Sequence, residues 1–138
     1  MHPAFNNIGA YLKVANVIFT AAAAAEVDSQ SVTLHQPGED YFSGVLNVAV
    51  NAVAGAPTAF SVASKLQGSN DGATWTDLPG AALAPITAVG QASLNVDLSG
   101  APTYVRAVVV PTFTAGNNPS AAIAATLVLG GATELPAV

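Results

Sequence analysis

The sequence predicts an all-β protein, an antiparallel β-sandwich of jelly-roll or immunoglobulin-like type with about eight strands and an arm at each end. Three observations predict it. Apolar residues alternate with period two over short runs, which is the pattern of a strand with one buried face. Twelve glycines and nine prolines fall at fairly regular intervals, leaving room for short strands and almost none for helices. Hydrophobic residues make up 51% of the 138, and they are mostly small: 29 alanines and 17 valines against nine aromatics. Small side chains suit sheets packed at close range.

From the N-terminus, residues 1–10 carry Pro3, Asn6, Asn7 and Gly9 without alternation. They read as an arm lying on a neighbouring subunit, with Met1, His2, Pro3 and Phe5 as candidate interface residues beside Trp75 and Arg106 of the domain. The sandwich domain is expected over 11–131 and a C-terminal tail over 132–138. Leu12 to Thr20 reads as the first strand. Together with Lys13 and the alanine run 21–25 it mimics a secretory signal ending in A-x-A. A signal has a compact basic start, whereas Pro3, Asn6, Asn7 and Gly9 precede Lys13 here, so the segment reads as uncleaved. The run from Val14 to Ala25 contains Asn16 and Thr20 and falls short of the roughly 18 apolar residues a membrane helix needs. A soluble protein is the expectation.

Alanine favours helix, but acidic Glu26 and Asp28 follow the alanine run and oppose a helix dipole at that end. The run is therefore read as a strand end or loop. Further strands are expected at Ser31–His35, Phe42–Ala52, Ala59–Gln67, Thr74–Leu78, Ala92–Leu98, Tyr104–Val110 and Ala121–Leu129. Phe60, Val62 and Leu66 share one face of the clearest of these runs. Gly-Ala-Pro-Thr occurs at 55–58 and again at 100–103, each time as a turn into a strand. Ser69-Asn70-Asp71-Gly72-Ala73-Thr74-Trp75 supplies the backbone freedom and local acceptors of a tight hairpin, with Trp75 expected to cover the turn. It is similar to the Asp box of sialidase-type propellers, but one residue is missing between Asp and Gly, and it occurs once where a propeller needs several blades.

Charge excludes several functions. Three basic and eight acidic residues give a net charge of -5, so no basic surface is present to neutralise phosphates. Nucleic acid and anionic membranes are not expected partners. Without cysteine there are no thiolate metal sites and no cysteine nucleophile. His2 and His35 are the only imidazoles, and no nucleophile elbow or phosphate-cradling glycine motif occurs. The expectation is a non-enzyme without cofactor or metal. His35-Gln36-Pro37-Gly38-Glu39-Asp40 reads as a turn with solvated acids. Arg106 is the one polar residue of a doubly buried strand; it is expected to pair with a carboxylate such as Asp97 or to act as an interface anchor.

Taken in order, the N-terminal alternating segment, Tyr41-Phe42-Ser43-Gly44-Val45-Leu46, the Ser69–Leu78 hairpin, Tyr104-Val105-Arg106-Ala107 and Thr126-Leu127-Val128-Leu129-Gly130 resemble small alanine-rich virion proteins of tailed bacteriophages. The resemblance is to capsid decoration (cement) or minor head proteins and spans roughly 12–131. It implies a sandwich that binds the outer surface of an assembled capsid, often as a homotrimer, with the major capsid protein as partner and no catalytic residues. Scarce charge independently implies an apolar surface that a protein contact covers. Two alternatives stand beside it: a tail or head-tail connector component, and a carbohydrate-binding module using Trp75, Tyr41 and Tyr104.

Overall fold

The computed structural model describes residues 13–37 and 39–131. The two arms, and with them Met1, His2, Pro3 and Phe5, lie outside the described residues. Among the described residues there is no helix. The strands are β1 (Lys13–Ala22), β2 (Val27–Asp28), β3 (Val32–Thr33), β4 (His35–Gln36), β5 (Glu39–Asp40), β6 (Ser43–Ala54), β7 (Ala59–Ser69), β8 (Thr76–Ile86), β9 (Gly90–Asp97), β10 (Tyr104–Thr114) and β11 (Ser120–Gly130).

Two antiparallel sheets form. One has the order β1-β11-β6-β9, and the other has β2-β10-β7-β8 with β3 also on β10. Strands β4 and β5 make a separate two-stranded ribbon. If β2 and β3 count as one interrupted strand, the chain pairs from the outside inward: β1 with β11, β2 and β3 with β10, β6 with β9, and β7 with β8. That is one long hairpin. Rolling it up adds the ladders β11 to β6 and β10 to β7, which is jelly-roll and not immunoglobulin-like order.

Alternation builds the core. Strand β11 buries Ala121, Ile123, Ala125, Leu127 and Leu129, and β6 buries Leu46, Val48 and Val50. Facing them are Val62 and Leu66 of β7 with Val105, Ala107 and Val109 of β10. Small and large residues alternate along β11, so the layers interdigitate, and each buried Leu, Ile or Val stabilises the fold by about 1.5–3 kcal/mol. Ser64 interrupts this pattern: it is 4% exposed and its hydroxyl has no hydrogen-bond partner. Because an unpaired buried hydroxyl is penalised by its lost hydration, Ser64→Ala is expected to stabilise the protein by about 1 kcal/mol, read as a rise in urea midpoint with unchanged slope.

Both Gly-Ala-Pro-Thr phrases carry the chain from the four-stranded to the five-stranded sheet, β6 into β7 and β9 into β10. Only the first uses left-handed backbone, at Gly55 (φ 81°) and Ala56 (φ 48°). Strand β1 ends at Ala22 and the remaining alanines form a loop, with the Ala25 N–H donating to the Ala23 carbonyl at 2.7 Å. Two boundaries differ from expectation. Strand β8 runs on to Ile86 through Pro79 and Pro85, which an edge strand tolerates because its outer N–H groups have no ladder partner. The expected strand Ser31–His35 divides, because β3 pairs with β10 while His35 turns away to pair with Asp40.

Candidate functional site

The outer face of the five-stranded sheet carries a polar chain across four strands. Arg106 faces outward on β10 opposite Gln67 of β7. Its Nε and Nη2 donate to Gln67 Oε1 at 3.0 and 2.8 Å, and Nη1 lies 2.8 Å from Asp28 Oδ2. Gln67 Nε2 donates to Asp77 Oδ1 at 2.9 Å, and Lys65 Nζ reaches the same carboxylate at 2.9 Å. Gln67 holds the Asp77 carboxyl below the usual carboxylate range, and Lys65 adds to the effect. The Arg106 guanidinium also sits 4.6 Å from the Trp75 ring centre, a favourable cation–π distance.

One expectation is corrected here. Arg106 pairs with Asp28 and not with Asp97. Asp28 sits on β2 opposite Val108, two residues along β10 from Arg106, whereas Asp97 belongs to β9 in the other sheet and accepts the Ser99 N–H at 2.9 Å. Trp75 packs over the Arg106 guanidinium. Gln67 and Asp77 were missed as members of the chain. Period-two counting from Lys65 puts Gln67 on its face, but nothing local announces Asp28.

The hairpin between β7 and β8 is closed by two side chains. The Ser69 hydroxyl donates to Asp71 Oδ1 at 2.8 Å and accepts the Gly72 N–H at 2.9 Å. Asp71 Oδ1 also accepts the Ala73 and Thr74 N–H groups, each at 2.8 Å. Gly72 takes a φ of 73° to complete the turn. Donation from Thr74 and Ala73, with Ser69 behind them, holds the Asp71 carboxyl far below the usual range. A carboxyl depressed by folding stabilises the fold above its unfolded value near 3.9 and loses that contribution as pH falls through the folded value. Asp77 and Asp97 are depressed as well. Stability is therefore expected to decline below about pH 4, and Asp71→Asn should make that decline shallower in acid-titrated thermal melts.

His35 bridges elements, with Nδ1 3.2 Å from Asp40 Oδ1 and Nε2 3.1 Å from the Ala101 carbonyl. Asp40 is thus tied to His35 and is not the freely solvated acid expected. Among the described residues no group of three His, Cys, Asp or Glu side chains is placed to hold a metal ion. Among the described residues no helix is long and apolar enough to cross a membrane.

The outer face of the four-stranded sheet is unlike its counterpart. Strand β6 presents Val45, Asn47 and Ala49 there, and β11 presents Ala124, Thr126 and Val128. Near the end of this face a groove of about 490 Å³ is lined by Phe42, Val45, Asn95, Asp97 and Val128 among others. In comparisons with known proteins, no family model matches the chain and no curated protein matches it. The aromatics of the carbohydrate alternative are not gathered on one open platform. Tyr41 is 2% exposed within the core and one face of Trp75 is taken by Arg106.

Proposed function

We propose that the protein is a structural virion component that binds the outer surface of an assembled capsid and stabilises it as a homo-oligomer, with the major capsid protein as partner. The observation that carries this reading is the contrast between the two sheet faces. One holds the Asp28–Arg106–Gln67–Asp77–Lys65 chain, while the small residues of β6 and β11 line the other. Among the described side chains of β6, β9 and β11 that face carries a single charge, Asp97, and charge depletion is the compositional mark of an interface core. The polar face suits solvent.

The test is the copy number of this chain in purified particles, measured by quantitative mass spectrometry against the most abundant shell protein. A number comparable to that subunit is expected. A handful of copies per particle would move the chain to the tail or connector, and absence from particles would end the reading.

A further inference from the structure

The two sheets have four edges: β1 and β9 on one, β8 and the interrupted β2 and β3 on the other. Three of them are blunted. Strand β1 has a register shift between Ala15 and Val17. Strand β8 carries Pro79 and Pro85 and meets β7 with two register shifts, and β2 and β3 are separated by Ser29–Ser31. Strand β9 has none of these devices: its eight residues pair with β6 without a shift and contain no proline or lysine. An unbroken edge is a template for another strand.

The direction of its free groups follows from one bond. The Leu98 N–H donates to the Phe42 carbonyl at 2.8 Å, and antiparallel ladders alternate bonded and non-bonded pairs. Gly90, Ala92, Leu94 and Val96 therefore direct their backbone groups to β6, and Gln91, Ser93, Asn95 and Asp97 direct theirs to the open edge. The side chains of those four residues are exposed.

We infer that β9 pairs antiparallel with β9 of a second copy about a two-fold axis at Leu94, joining two four-stranded sheets into one. This register sets Gln91 opposite the second copy's Asp97 and Ser93 opposite its Asn95, so every outward backbone group meets a partner. On the inner face it sets Leu94 against Leu94 and Ala92 against Val96, which extends both cores. No like charges oppose each other, and a contact of this kind is self-complementary by symmetry. It stands independently of the capsid reading.

The test uses the full chain. Sedimentation over about three decades of concentration is expected to give a monomer-to-dimer transition, with the amides of Gln91, Ser93, Asn95 and Asp97 exchanging slowly only in the dimer. Gln91→Lys creates two opposite-charge pairs with Asp97 and should tighten the dimer, while Gln91→Glu creates two like-charge pairs and should weaken it. The two variants should differ by about tenfold or more in dissociation constant. A chain that stays monomeric, an oligomer such as a trimer in which those four amides exchange freely, or equal affinities for the two variants overturns the inference. So does protection that arises only when a different protein is added.

Discussion

Gly55→Val is expected to destabilise the protein by about 4 kcal/mol, a large part of the 5–15 kcal/mol that typically holds a domain together. Three costs add at this site. The φ of 81° lies in the left-handed region, where a β-branched residue is a steric outlier. A Cβ there would meet the Asn117 carbonyl oxygen at 2.6 Å and Pro119 Cα at 2.7 Å, and these are backbone atoms that do not rotate aside. Moving that loop away would break the bond from the Asn117 N–H to the Gly55 carbonyl, now 2.8 Å. The control lies in the second Gly-Ala-Pro-Thr phrase. A Cβ at Gly100 meets nothing within 4 Å, so Gly100→Val is expected to stay within about 0.5 kcal/mol of the parent. Urea unfolding of the pair decides the matter: equal midpoints would mean the clasp between the two loops yields freely.

Arg106→Ala is expected to cost about 2 kcal/mol. The substitution removes both bonds to Gln67 and the stacking partner of Trp75. It also leaves Asp28 unpaired, but the Asp28 side chain is 37% exposed, so water recovers much of that loss. Arg106→Lys should recover little, because an ammonium lacks the planar fork that serves Gln67 and Asp28 together. A cycle with Asp28→Ala isolates the ion pair, whose coupling is expected at or below about 1 kcal/mol. A much larger coupling would show that the pair, and not the fork on Gln67, ties β2 to the sheet.

The sandwich was legible because its core is written in period two. Ile123, Leu127 and Leu129 recur at alternate positions, and so do Val62 and Leu66. Strand pairing was less legible, since alternation says which residues share a face and nothing about which strands are neighbours. Choosing between jelly-roll and immunoglobulin-like order required the observed pairing of β1 with β11. The prolines of β8 misled for a related reason: their tolerance depends on the strand lying at an edge. At the candidate site Arg106 and Trp75 were picked out as unusual residues, but their mutual contact and the choice of Asp28 depend on strand order. The Ser69–Thr74 hairpin was fully local and was read correctly as a turn.

The position of β11 between β1 and β6 bears on how the protein is made. Sheet strands that are neighbours in space are here the first and last of the described chain to leave the ribosome. Until residues 120–130 emerge, β1 has no ladder partner and β6 lacks one of its two. The nascent chain therefore cannot complete its four-stranded sheet before β11 has emerged, as non-local pairing demands. A chain truncated at Pro119 would retain every strand of the five-stranded sheet and the β6–β9 pair, but β1 would have no ladder partner.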